Sequence, residues 1–143
     1  MIWNSKFLYP ASTRSIVDGS RHYTVNKENL PSVTTILKAT ESEEKKAKLA
    51  EWKNRVGHKQ AEIISREATS RGSSMHDYLE KFLLGKLNMD LLGDNTREKM
   101  MAKQIIENGL RNKLSEIWGC EATLYYPGKY AGAADCIGIY ENK

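Results

Sequence analysis

Cysteine is scarce in this chain, with Cys120 and Cys136 as its two copies. Neither sits in a C-x-x-C pair or near a histidine tract, so a disulfide framework and a zinc site are not indicated, and the expected role of both thiols is packing. No apolar run approaches the roughly 18 residues that span a bilayer, which leaves no expected membrane partner. The first residues, Met1 to Phe7, lack the basic, apolar and small-residue succession of a secretory signal. The expected compartment is therefore the cytoplasm. Low-complexity tracts and internal repeats are also missing. A length of 143 residues, 28% of them charged and 40% hydrophobic, suits one globular domain over 1–143 with a single modest core. The net charge of +4 favours a polyanionic partner slightly over an acidic one.

Three zones of different character follow one another. Residues 1–30 mix β-branched and aromatic residues with turn formers, and Asp18-Gly19-Ser20 ahead of Arg21 to Asn26 predicts a short hairpin. Residues 31–118 read as helical. Pro31 and a capping Ser32 open a first turn. Leu49, Trp52, Val56, Ala61, Ile64 and Ala68 then recur at helical intervals, with an interruption expected at Gly57. Met75, Tyr78, Leu79, Phe82 and Leu83 form the cleanest apolar stripe, on a helix expected to start near Ser73 and stop at Gly85. A longer helix is expected from Asn95 to Trp118, with Asn95 and Glu98 as a capping box and Ile106, Leu110, Leu114 and Ile117 buried. Residues 119–143 predict two strands of a hairpin around Pro127-Gly128. The fold class expected is α+β, with a largely helical N-terminal half and a C-terminal β-hairpin. A sheet of two strands with helices on one side leaves an open edge, so the fold is expected to be incomplete at its C-terminus.

The segment Arg71-Gly72-Ser73-Ser74-Met75-His76-Asp77-Tyr78-Leu79-Glu80 carries the most chemistry. If a helix opens there, Gly72 admits close backbone approach, and the free amides of Ser73 and Ser74 beside Arg71 form a phosphate site. His76 shares an angular sector with Leu79, Glu80 and Leu83, so it is expected to face the protein or a cleft, where a neutral imidazole can ligate a metal and Glu80 can ligate or orient. A buried, hydrogen-bonded core histidine is the competing reading. Asp135 lies in Ala131-Gly132-Ala133-Ala134-Asp135-Cys136-Ile137-Gly138, and a carboxylate among small and apolar neighbours calls for a compensating cation. Its competing reading is an edge-strand aspartate in solvent. Glu121 is a weaker candidate ligand, with a plain surface carboxylate as the alternative.

Taken together, R-G-x-x-x-H-x-x-x-E from Arg71 to Glu80 and G-x-x-D from Gly132 to Asp135 resemble the motif pair of RecB-like PD-(D/E)-x-K nucleases. The subgroup they look most like is that of the mitochondrial genome maintenance exonucleases and their phage relatives, which Leu30 to Leu37 and the spacing of Trp52, Arg55, Gly57 and Ala61 also resemble. The resemblance implies a restriction-endonuclease-like core, Mg²⁺ or Mn²⁺ as cofactor, and phosphodiester hydrolysis in phage or cellular DNA processing and recombination. It casts His76 and Asp135 as catalytic metal ligands. The expected partner is DNA, single-stranded or with free ends, held by Lys53, Arg55, Lys59, Arg71, Gly72, Ser73 and Ser74, with Trp52 or Tyr78 available for stacking. An iron-sulphur cluster needs four cysteines and is not expected from this chain.

One departure from the pattern stands out. The family's (D/E)-x-K tripeptide has a literal counterpart in Glu141-Asn142-Lys143, but Asp135 and Glu141 on one continuous strand stand roughly 20 Å apart at about 3.3 Å per residue. The true acidic residue and lysine are therefore expected beyond Lys143, and the chain by itself is expected to cleave poorly. A non-catalytic nucleic-acid-binding module on the same fold is the alternative function.

Overall fold

The computed structural model describes residues 1–87 and 96–143. It is a mixed α+β fold of four helices and two three-stranded sheets. One sheet is an antiparallel meander of β2 (Ser12–Val17), β3 (Ser20–Val25) and β4 (Glu28–Pro31). The other has the order β1-β5-β6, with β1 (Ile2–Trp3) parallel to β5 (Leu114–Tyr126) and β6 (Tyr130–Tyr140) antiparallel to it. Two strands expected at the C-terminus are thus three, because the extreme N-terminus supplies an edge.

The predicted hairpin at Asp18-Gly19 is present and is followed by a second. Val17 pairs with Ser20 around Asp18 and Gly19 at φ 48° and 75°, and Val25 pairs with Glu28 around Asn26 and Lys27 at φ 49° and 68°. Both loops have two left-handed residues, the backbone whose twist matches that of the flanking strands. Asn26-Lys27 is a weaker turn signal than Asp-Gly, which is why one hairpin was expected and a meander is found.

Ser32 caps α1 (Val33–Ala39), its hydroxyl accepting from the Thr35 amide at 3.0 Å. Its backbone also bridges to Ala131 of β6, joining the two sheets. Val25, Leu30 and Ala131 form a buried cluster at this junction. Helix α2 (Glu43–Val56) stops at Gly57, whose φ of 89° suits glycine alone. The interruption expected there is found.

Helix α3 runs unbroken from His58 to Leu83, so the start expected near Ser73 is absent. Gly72, Ser73 and Ser74 are weak helix formers, but two well-formed turns on each side carry the helix through them. The indole of Trp3 donates to the carbonyl of Leu83 at 2.9 Å and caps the far end. Gly85, at φ 67°, follows the stop as expected.

The long helix expected from Asn95 to Trp118 is replaced by α4 (Arg97–Ile105), a π turn over Ile106–Leu110, and the first five residues of β5. Asn95 lies outside the described residues, and Thr96 is the observed cap, accepting from the Lys99 amide. All four residues of the expected stripe are wholly or partly buried, with Ile106 and Ile117 at 0% exposure and Leu114 at 6%. Leu114 and Ile117, however, reach the core from a strand. Register shifts between Leu114 and Glu116 and between Ile117 and Gly119 break strict alternation and produce spacings that imitate a helix. Leu114 and Ile117 pack on Leu83 in a second buried cluster, with Phe82, Leu110 and Cys120 against it. No helix among the described residues is long and apolar enough to cross a membrane.

Candidate metal centre

Three elements bring carboxylates and an imidazole together. Helix α3 presents His76, β5 presents Glu121 and β6 presents Asp135, with one ligand atom from each lying within 4.8 Å of the others. His76 Nδ1 is 3.6 Å from Asp135 Oδ1. Donors on opposite sides of one ion at roughly 2.1 to 2.4 Å stand at most about 4.8 Å apart, so a single cation fits this triad. The donor set, one nitrogen and two carboxylate oxygens, suits Mn²⁺ as well as Mg²⁺.

The local backbone is specialised. Glu121 sits in the middle of β5 at φ 49°, a left-handed conformation that a long side chain adopts at a cost of order 1–3 kcal/mol. That geometry re-aims its carboxylate, which strand alternation in the sequence could not foretell. Opposite, Gly138 makes the nearby register shift possible. A Cβ at Gly138 would lie 2.1 Å from the Glu116 carbonyl oxygen.

His76, Glu121 and Asp135 border a small cavity of about 130 Å³, walled by Leu79, Leu83, Ile105 and Leu110. Glu80 also lines it, outside the three-residue cluster. Three carboxylates thus face one imidazole, with no lysine or arginine among the lining residues. The consequence shows at Glu121, whose carboxyl is pushed up by burial first, then by the charges of Asp135 and Glu80, against a smaller opposing effect of His76. A cation between them relieves that repulsion.

His76 and Asp135 are less enclosed than expected, their side chains 50% and 68% exposed. Asp135 lies on β6, an edge strand of its sheet. Cys120 packs on the core as expected, and burial pushes its thiol up to about 11. Cys136 lines the cavity but is exposed, so the packing role expected of it is not found; partial burial and then the charge of Asp135 raise its thiol.

The expected phosphate cradle is not formed. Because Arg71, Gly72, Ser73 and Ser74 lie inside α3, their amides serve the helix and present no open N-terminus. Lys45, Lys46 and Lys48 are ion-paired with Glu41, Glu43 and Glu44 at 3.0, 2.9 and 2.6 Å, which offsets much of the positive charge along α2. Lys53, Arg55 and Lys59 are exposed. Trp52 and Tyr78 are half-buried, and Lys99 Nζ stands 5.9 Å from the Tyr78 ring centre, so neither offers a clear stacking face.

Glu141 and Asn142, at φ 47° and 63°, form a tight turn closed by two hydrogen bonds between Tyr140 and Lys143 at 3.0 and 2.9 Å. Glu141 faces Lys113 at 3.5 Å and is not one of the three clustered ligands. No protein-family model, curated protein or solved structure matches the chain.

Proposed function

We propose that this protein is a metal-dependent nuclease of the RecB-like, restriction-endonuclease-like kind, hydrolysing phosphodiester bonds at single-stranded or free DNA ends. The observation that carries this reading is the convergence of His76, Glu121 and Asp135 within 4.8 Å from a helix and two strands. His76 and Asp135 hold the cation, Glu121 completes the set, and Glu80 orients its neighbours from the cavity wall. When bound, Mg²⁺ or Mn²⁺ supplies polarisation of the phosphate and acidification of a water.

Among the described residues that line the cavity there is no lysine, the cationic group that would steady the attacking water and the developing charge. That observation favours a second reading, a nucleic-acid-binding module that holds metal without rapid turnover. The test is degradation of a labelled single strand in Mn²⁺ by the gene product. Metal-dependent loss of the label, absent in His76→Ala and Asp135→Ala, supports the nuclease. Binding of the strand without cleavage over hours, in the presence of metal, selects the module.

A further inference from the structure

Two adjoining cavities lie beyond the metal centre and share Arg21 and Thr34. The first, of about 500 Å³, is aromatic and apolar, with Tyr126 and Tyr130 at its rim and Val33 and Leu124 in its walls. The tyrosine rings stack on each other with centroids 6.0 Å apart and 28° between planes. They remain 58% and 42% exposed. The second cavity, of about 520 Å³, is mixed in character, with Arg21, Lys38 and the hydroxyl residues Ser20, Thr34 and Thr35 beside the apolar Ile16 and Ala39. Among the described residues, no aspartate or glutamate lines either one.

We infer that these cavities form one trough for a single nucleic-acid strand, with bases against the tyrosines and phosphates against Arg21 and Lys38. An aromatic surface beside one that carries two cations and three hydroxyl residues matches the alternation of π-faces and anions along such a strand. An acidic peptide would leave the tyrosine wall without a matching group. The backbone of Arg21 is tied to α1, its carbonyl accepting from the Ser32 amide and the Thr35 hydroxyl, each at 2.9 Å. Its floor is Gly132, Ala133 and Ala134, the residues that precede Asp135 on β6. Tyr130 therefore stands roughly 16 Å from Asp135 at about 3.3 Å per residue, a span of a few nucleotides. The trough rests on the nucleic-acid part of the proposed function and is independent of hydrolysis.

The experiment is fluorescence anisotropy of a labelled twelve-nucleotide oligothymidylate with the full chain in EDTA, across a salt series, so that loss of cleavage cannot imitate loss of binding. Arg21→Gln with Lys38→Gln is expected to weaken binding about tenfold or more and to flatten the salt slope by about 1.4, at roughly 0.7 per phosphate contact on a single strand. Tyr126→Ala with Tyr130→Ala is expected to weaken it roughly 5- to 100-fold, while the paired Tyr→Phe changes retain binding because stacking needs only the ring. Circular dichroism confirms that each variant is folded. Affinity unchanged in both trough variants overturns the inference, as does the absence of oligonucleotide binding by the wild type at low salt. Polyglutamate displacing the oligonucleotide at equal concentration overturns it as well. His76→Ala is read for cleavage in Mn²⁺ and not for binding in EDTA, which separates failure of the metal centre from failure of the trough.

Discussion

His76 on α3 and Asp135 on β6 meet at 3.6 Å, Nδ1 to Oδ1, and with Glu121 they define a space the size of one coordinated cation. Whether a metal is held there is a question about binding free energy before it is one about catalysis. Mn²⁺ that binds the folded chain alone must raise its stability, by about 2.7 kcal/mol at a hundred times the dissociation constant. A thermal melt with Mn²⁺ and with EDTA is expected to show a clear upward shift in the wild type and little or none in His76→Ala or Asp135→Ala. Equal shifts in all three proteins would remove the metal centre.

Glu121 gives a pH dependence whose sign is fixed. Its carboxyl is raised from the ordinary value of 4.5 in the folded chain, so the folded state keeps this proton to higher pH than the unfolded one. Stability from this group is full below the ordinary value, falls as pH rises through the raised one, and is level beyond it. Comparing urea midpoints in EDTA for wild type and Glu121→Gln between pH 4 and 8, the variant is expected to gain relative stability as pH rises. Glu116 acts in the opposite sense. The Trp118 indole and the Asn4 amide donate to its carboxylate and lower its pKa, so its contribution is lost on acidification and should be the same in both proteins.

Much of this was readable in the residues, and what was not has physical causes. Asp18-Gly19, Ser32 and Gly57 declare their turn, cap and break through backbone chemistry that acts locally. His76 and Asp135 were singled out because a polar group among apolar or small neighbours needs a reason. The stripe Ile106, Leu110, Leu114, Ile117 misled because bulges in β5 shift the inward positions and so mimic a helical period. Ser73 looked like a helix start because Gly-Ser-Ser has low helix propensity, yet packing of the long α3 overrides it. A left-handed glutamate inside a strand has no sequence signature, so the residues alone make Glu121 a weak candidate. The trough lining of Arg21, Lys38, Tyr126 and Tyr130 is assembled from separate elements and shows no local pattern.

Gly138 separates room from conformational freedom. An added Cβ would lie 2.1 Å from backbone oxygen of the paired strand, an atom that cannot swing aside. Gly138→Ala is expected to destabilise the chain by about 2–3 kcal/mol, in the range of overpacking, or to distort β6. A lowered urea midpoint with diminished Mn²⁺ stabilisation would show that the register shift positions Asp135. An unaltered midpoint would mean that the bulge is dispensable.

Gly72 is the opposite case. It lies within α3, and a Cβ there would meet nothing within 4 Å, so the folded chain gives no packing reason for glycine. Glycine in a helix interior costs roughly 0.5–1 kcal/mol relative to alanine, and Gly72→Ala should therefore raise stability by about that amount in a urea titration. If the open surface at Gly72 is where a nucleic-acid backbone approaches α3 one turn from His76, the same substitution should weaken oligonucleotide binding or cleavage several-fold despite the stabler fold. A gain in stability with oligonucleotide binding and cleavage unchanged would show that this face of α3 touches no ligand, and that Gly72 is simply a tolerated weak point in the helix.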